Sequence, residues 1–467
     1  MNNKLSVVLR VYNTLTGKKE VFKSLKSKNV KMFVCGPTVY GLSHLGHAKT
    51  YVQFDVIAKY LHYKKYKIFY LQNITDIDDK IIKKAAEEKT SWDTVARTYE
   101  KLYLEDMQKL GINSVNKYAR ATEYIAEIVS QVKRLIKKGY AYRISDGYYF
   151  DLSKCKDYGK LAKRTKNEAE DSVSRIDENE GKRNKGDFCL WKFSKEGEPF
   201  WETEIETGRP GWHIEDTAIT EKELGNQYDI HGGGIDLIFP HHEAEIAQME
   251  SISGKVPFVR YWLHTGFVNS NNEKMSKSLG NFSTIRDVLS YYDSKVLRFL
   301  FLSTHYRNPV SFSEQVLRQA KSSLERIHDF VRNLKNYSGG KKIVSIKKRV
   351  ETVGKKFEEA MDDDFETAKA LTVLFDLIRY VNILMDKNKV AQGDTKFILK
   401  KFEQWNAFFG ILEEKEELSL EVEVLVQRRE EARRNKNWIE ADRLRDEIKK
   451  KGYVLDDTKG KTIIKKI

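Results

Sequence analysis

Apolar positions in the first third of this chain fall into short runs with a helical stretch between them. Met32–Cys35 and Ile68–Leu71 are apolar runs of strand length, and from about Ala48 to Leu61 apolar residues recur at helical spacing. This pattern predicts a strand, an amphipathic helix and a second strand, the βαβ start of a parallel sheet. Helical patterning follows to about Lys138. From about Gly139 to Pro210 the rhythm breaks, and Lys156–Lys195 is dense in charge of both signs. That stretch reads as an irregular, partly mobile insertion that makes a poor core by itself. Strand-like runs return at Tyr228–His231 and within Phe258–Phe267. After about Pro309 the spacing is helical to about Leu412, as in Leu371, Leu374, Leu377 and Ile378, and a separate basic module begins near Leu418. The whole predicts an α/β fold in five parts: 1–138, an insertion 139–210, the return of the sheet 211–308, a helical bundle 309–415 and a C-terminal module 416–467.

Composition narrows the class. A chain of 467 residues suits three or four domains, and 40% hydrophobic with 12% aromatic residues is enough to fill real cores. No run is long and apolar enough to span a bilayer. Met1–Val8 is polar and lacks the apolar stretch of a signal peptide, so a soluble, cytoplasmic protein is expected. Net charge is +15. Two readings stand side by side: a polyanionic partner, or a lysine-rich composition with no partner implied. The three cysteines, Cys35, Cys155 and Cys189, are too few and too scattered for a disulfide framework.

Candidate chemistry sits where strands end. Phe33-Val34-Cys35-Gly36-Pro37-Thr38-Val39-Tyr40 runs from strand into loop, and His44-Leu45-Gly46-His47 opens the first helix. A loop between a parallel strand and a helix N-terminus presents backbone N–H groups to a phosphate. Two imidazoles there suit charge building on a phosphoryl group. Far downstream, Lys274-Met275-Ser276-Lys277-Ser278 lies between turn-forming residues, which suits cations on a loop that closes over pyrophosphate. His231-Gly232-Gly233-Gly234 follows a strand, and its glycines permit close approach to a base or ribose. His241 and Glu245, four apart, share one helical face.

These motifs together resemble the class I aminoacyl-tRNA synthetases, and the residues around them resemble the cysteinyl branch of that family over nearly the whole chain. The resemblance implies a Rossmann-type parallel sheet split by an insertion, then a helical bundle and a small C-terminal anticodon-binding domain. It implies a ligase that joins L-cysteine to tRNA-Cys at the expense of ATP, with Mg²⁺ accompanying ATP. His44, His47, Lys274 and Lys277 would act on the phosphoryl group. Gly36, Thr38, Gly46, His231, Gly232, Gly233 and Gly234 would complete the ATP site. Thr75, Trp212 and Asp236 would surround the amino acid. Cysteine must be told from serine, and one Zn²⁺, held with a position open for the substrate sulfur, does so by preferring thiolate. Cys35, His241 and Glu245 match the implied ligands. The family's second cysteine ligand follows Gly-Trp-His-Ile-Glu, whereas here Asp216 follows Gly211-Trp212-His213-Ile214-Glu215. Asp216 then has two readings, a carboxylate ligand or the cap of a helix beginning at Thr217. In the C-terminal module Arg428, Arg433, Trp438 and Asp442 match the anticodon-binding region, where arginine forks and an aromatic suit an unpaired base. A monomer is expected. Two rivals stand against this reading: a ligase that hands activated cysteine to a small amine, and a non-catalytic RNA-binding relative.

Overall fold

The structure, a computed structural model, describes residues 8–164, 179–270, 273–274, 283–341, 345–412, 419–458 and 461–466. It divides into two compact units, Met1–Leu412 and Glu413–Ile467.

The first unit opens with a small antiparallel pair, β1 (Arg10–Asn13) and β2 (Lys18–Val21). Then come β3 (Asn29–Val34), the helix α1 (Leu45–Tyr63) and β4 (Lys67–Ile74), which is the βαβ start the pattern predicts. β5 (Lys117–Arg120) interrupts the helical stretch that follows. One feature of α1 departs from expectation. It is not amphipathic: thirteen of its nineteen residues are buried, among them Lys49, Gln53 and Asp55. These polar groups mimic a solvent face in sequence, yet each is bonded inside the fold. Asp55, for example, receives the buried Arg298 guanidinium at 2.9 Å, and Arg298 also donates to the carbonyls of Leu110 and Phe409.

The stretch 139–210 also differs from the irregular insertion its charge suggests. β6 (Ala141–Ile144), β7 (Gly147–Phe150), β8 (Phe188–Phe193) and β9 (Gly208–Pro210) form a four-stranded antiparallel sheet. Phe150 stacks on Phe188 at 5.1 Å. Both belong to a core shared with Ile214, Trp262 and Leu71, so the insertion folds on a neighbour's apolar surface rather than on its own. Residues 165–178, part of its charged stretch, lie outside the described residues.

The chain then returns to the main sheet through the helix Trp212–Leu224, β10 (Tyr228–Gly234), a kinked turn Ile238–His242, the helix Glu243–Ser253 and β11 (Val259–Thr265). The central sheet has the order β11-β10-β3-β4-β5 with every pair parallel. The order reverses between β3 and β10, the switch point beyond whose carboxyl ends open parallel sheets hold ligands. Beyond it β12 (Val268–Ser270), β13 (Glu273–Lys274) and β14 (Val310–Phe312) form a small sheet. Helices Glu314–Asn336, Ser345–Asp362, Thr367–Asp386 and Gln392–Phe409 make the expected bundle. Leu371, Leu374, Leu377 and Ile378 are buried, and one continuous core runs from Val11 through α1 to Ile411.

The second unit is a helical hairpin, Leu420–Arg434 and Trp438–Lys450, followed by the antiparallel pair β15 (Tyr453–Thr458) and β16 (Lys461–Lys466). Its core is small: Leu425, Leu444, Ile448 and Leu455.

Candidate active site

A cavity of about 660 Å³ lies at the switch point. The loop Cys35–Tyr40, the start of α1 and the ends of β4, β10 and β11 line it, with the helix that begins at Trp212. Two glycines permit close packing around it. A Cβ on Gly36 would fall 1.7 Å from the Asn73 carbonyl oxygen, so only glycine lets the loop after β3 cross the end of β4. A Cβ on Gly232 would fall 2.2 Å from the Phe54 ring. A side chain at that position would collide with α1.

His44 is the N-cap of α1. Its Nδ1 accepts from the backbone N–H of Gly46 at 3.0 Å and of His47 at 3.3 Å. A neutral imidazole whose Nδ1 accepts carries its proton on Nε2. The His47 ring stacks on it at 3.9 Å, and both residues line the cavity. The dipole of a nineteen-residue helix adds partial positive charge at this end. The arrangement suits an anion.

A second group of lining residues is buried and unusual. Cys35 Sγ lies 3.3 Å from Asp216 Oδ2, which lies 2.9 Å from His241 Nε2; that nitrogen is 3.4 Å from Glu245 Oε1. The four donor atoms lie within 4.8 Å of one another. Asp216 sits inside the helix Trp212–Leu224, so it is not the cap of a helix starting at Thr217. Asp216 Oδ1 and both Glu245 oxygens are buried without a hydrogen-bond partner among the described residues. Buried unpaired carboxylates are costly, and a cation among them removes the cost. Burial, then the carboxylates of Asp216 and Glu245, push the Cys35 thiol well above its ordinary range. Burial, then Asp216, push Glu245 the same way.

The sequence reading missed how many imidazoles meet here. Five of the ten histidines, His213, His231, His241, His242 and His264, form one buried network. His241 reaches His213 through its Nδ1 at 2.9 Å. His242 turns Nε2 to Cys35 at 3.1 Å and Nδ1 to His264 at 2.8 Å, and His264 ends on Thr14. His231 turns Nε2 to Cys35 at 3.5 Å and Nδ1 to the Tyr228 hydroxyl at 2.7 Å. Burial holds His213, His231 and His242 well below their ordinary pKa and His264 down to about 3, so these rings are neutral and keep a lone pair. A second donor set, Cys35, His231, His242 and Glu245, therefore overlaps the first. Of that set only Cys35 lines the cavity, whereas Cys35, Asp216 and His241 of the first set all do.

Gly36, Thr38, His44, Gly46, His47, Gly234, Thr75, Trp212 and Asp236 all line the cavity as the sequence reading expects. Trp212 stacks on His241 at 4.4 Å, and Asp236 is exposed near the mouth. His231, Gly232 and Gly233 do not line it. They are buried, with Gly232 against Phe54, and a Cβ on Gly233 would fall 2.9 Å from the His242 ring. Of that motif, Gly234 reaches the cavity surface. Lys277 and the side chain of Lys274 lie outside the described residues. Lys80, which the sequence reading did not single out, lines the cavity with its Nζ 5.6 Å from the Tyr40 ring. In the C-terminal unit Arg428, Trp438 and Asp442 are exposed, Trp438 by 58%. Arg433 is half-buried and donates to Thr462. Among the described residues no helix is long and apolar enough to cross a membrane.

Comparison with known proteins accords with this geometry. The profile of the class I (C) tRNA synthetase catalytic domain matches residues 21–322. A DALR domain matches 356–413, and the cysteinyl-tRNA ligase anticodon-binding domain matches 415–463. The cysteine–tRNA ligase of Carboxydothermus hydrogenoformans is 44% identical over 96% of this chain and 98% of its own length. That of Thermococcus onnurineus is 44% identical over 99% of this chain and 100% of its own. Among solved structures, the methionyl-tRNA synthetase of Mycobacterium tuberculosis bound to methionyl-adenylate superposes with a TM-score of 0.61 at 16% identity, over 81% of this chain and 89% of that one, a likeness of fold.

Proposed function

We propose that this chain, which belongs to the cysteine–tRNA ligase family of class I tRNA synthetases, activates L-cysteine with ATP and transfers it to the 3′ end of tRNA-Cys. One observation carries the reading of the site. A single cavity is lined both by the imidazoles at the start of α1 and by the thiol, carboxylate and imidazole of Cys35, Asp216 and His241. The first group suits a triphosphate and the second a sulfur-selecting ion.

In the first step a cysteine carboxylate oxygen bonds to the α-phosphorus of ATP, and the bond from that phosphorus to the pyrophosphate oxygen breaks. His44 donates from Nε2 to the charge on the phosphoryl oxygens, its Nδ1 being held by the helix start. His47 acts beside it, and Lys274 and Lys277 follow the departing pyrophosphate; Mg²⁺ accompanying ATP would neutralise phosphate charge there. Gly36, Thr38, Gly46 and Gly234 contact the nucleotide, a role their lining of the cavity supports. Thr75, Trp212 and Asp236 surround the amino acid, with the Asp236 carboxylate facing its ammonium. In the second step the terminal ribose hydroxyl attacks the acyl carbon and AMP leaves.

Cys35, Asp216, His241 and Glu245 would hold Zn²⁺. Their donor types suit zinc, and the oxygens of Asp216 and Glu245 that have no hydrogen-bond partner among the described residues suit a cation. The first donor set is preferred because it meets the cavity, which leaves a position for a substrate sulfur. Bound there, the ion supplies a preference for thiolate over hydroxyl. His213 orients His241 by its second nitrogen, as such ligands require. Arg428, Arg433, Trp438 and Asp442 contact the anticodon, and the protein works in the cytoplasm as a monomer.

The test is ATP–pyrophosphate exchange driven by cysteine and by serine, with metal counted on the same sample. Cysteine-dependent exchange, serine rejection and one zinc per chain are expected. Exchange with neither amino acid would end the proposal for function, and a metal-free active enzyme would end it for the ion.

A further inference from the structure

Among the buried cations that the mechanism leaves unused, Lys49 stands beside the site. Lys49 lies on α1 two residues after His47 and has no exposed surface. Its Nζ donates to the carbonyl oxygens of Gly266 at 2.6 Å, Asn308 at 2.7 Å and Tyr306 at 3.4 Å. Among the described residues no carboxylate lies within ion-pair distance of it, and burial pushes it from its ordinary range down to about 7. A lysine kept this way is retained for what its three N–H groups join.

What they join is specific. Gly266 lies between β11 and β12, and Tyr306 and Asn308 precede β14. Gly266 N–H bonds to the Tyr306 carbonyl at 2.9 Å, and Val310 N–H to the Phe267 carbonyl at 2.9 Å. A Cβ on Gly266 would lie 2.6 Å from the Arg307 and Asn308 backbone, so the crossing has no slack. Next to Lys49, Thr50 bonds Thr265 at 2.7 Å. From this crossing β12 runs on to pair with β13, Asn269 opposite Lys274. The amine therefore ties the helix bearing His44 and His47 to the root of the hairpin bearing Lys274.

We infer that Lys49 is a positioning residue, which fixes the separation between the imidazoles of α1 and the lysine-bearing hairpin so that both reach one triphosphate. The inference rests on the proposed function. Without the amine, three carbonyls lose their shared donor and the hairpin root is free to shift. A displacement of about 1 Å between reacting groups is worth about 100-fold in rate.

The experiment is a double-mutant cycle on cysteine-dependent ATP–pyrophosphate exchange, begun with the wild-type enzyme so that failure of the function itself is seen first. Lys49→Met should lower kcat about 30- to 100-fold while KM for cysteine and the zinc content stay unchanged. Lys49→Arg, which keeps charge and donors, should recover most of the loss. In a Lys274→Ala/Lys277→Ala background, Lys49→Met should change kcat less than about threefold, because the lysines it positions are already gone. An equal loss in both backgrounds, or a full-rate Lys49→Met enzyme, would overturn the inference. If Lys49→Met does not fold, Lys49→Gln, which keeps one donor pair, enters the same cycle with the same two outcomes.

Discussion

The two compact units use their charged groups in opposite ways. The first buries carboxylates, a thiol and five imidazoles beside the cavity and leaves Asp216 Oδ1 and both Glu245 oxygens without a hydrogen-bond partner among the described residues. The second keeps Arg428, Asp442 and Trp438 at its surface over a core of four buried apolar side chains. Buried unpaired groups lower stability, so a fold that keeps them holds them for a ligand. Exposed charges lower it little, and they act through whatever docks on them. Chemistry should therefore fail when the first unit is altered, and recognition alone when the second is.

Removal of the thiol tests that contrast hardest. Cys35→Ala should lose zinc and lower cysteine-dependent exchange by about 10³-fold or more, while tRNA binding measured by filter retention stays near wild type. Retention of stoichiometric zinc in this variant would show that Cys35 is no ligand, and would move the ion elsewhere. Next in size is His44. His44→Ala should lower kcat for exchange about 10²- to 10³-fold with zinc unchanged, since it removes a donor aimed at the phosphoryl group. It also removes the cap of α1, which by itself costs about 1 kcal/mol of stability. His44→Asn, which can cap but lacks the imidazole, separates the two: it should restore the unfolding midpoint and leave the rate low.

Acidity gives a smaller, graded effect confined to the first unit. Burial and neighbouring carboxylates hold the Cys35 thiol protonated in the metal-free protein. Ligation needs the thiolate, so uptake of metal releases a proton. The sign follows: below the raised pKa, apparent affinity tightens as pH rises, by about tenfold per unit for one proton released. Competition with a chromophoric chelator at pH 6.5 and 7.5 measures it. Affinity that does not change with pH would mean that the thiol is already ionised or is not a ligand.

What was legible in the sequence divides along physical lines. Strands β3 and β4, the helix between them and the bundle residues Leu371 to Ile378 were readable because apolar spacing is local and each element answers to its own pattern. The cavity residues His44, His47, Thr38 and Trp212 were readable because contiguous motifs carry them. The imidazole network was not, since its members come from a helix, two strands and a turn, and no spacing in the chain records that they meet. Glycines 232 and 233 answer to a demand the motif does not record: a side chain there would meet Phe54 or His242, packing set from elsewhere in the chain. Lys49, Gln53 and Asp55 misled. Polar residues on a helix read as a solvent face unless the groups they bond inside the fold are known. The sheet of residues 139–210 was hidden because its apolar strands are short and its core is borrowed.

The smallest expected effect sharpens the comparison most, because it asks for a loss in one unit's task with none in the other's. Trp438 follows the N-cap Asn437 and begins a helix with its ring more than half exposed. Removing that ring leaves no cavity in the small core of Leu425, Leu444, Ile448 and Leu455, so folding should be unaffected. A base stacked on an aromatic contributes about 1–3 kcal/mol, and at the low end of that range Trp438→Ala should raise the KM for tRNA about fivefold. Trp438→Phe, which keeps a stacking face, should recover part of it. Cysteine-dependent exchange needs no tRNA and should stay at the wild-type rate in both variants. A fall in exchange with the fold intact would mean that the second unit acts on the chemistry, and the separation drawn between the two would have to be abandoned.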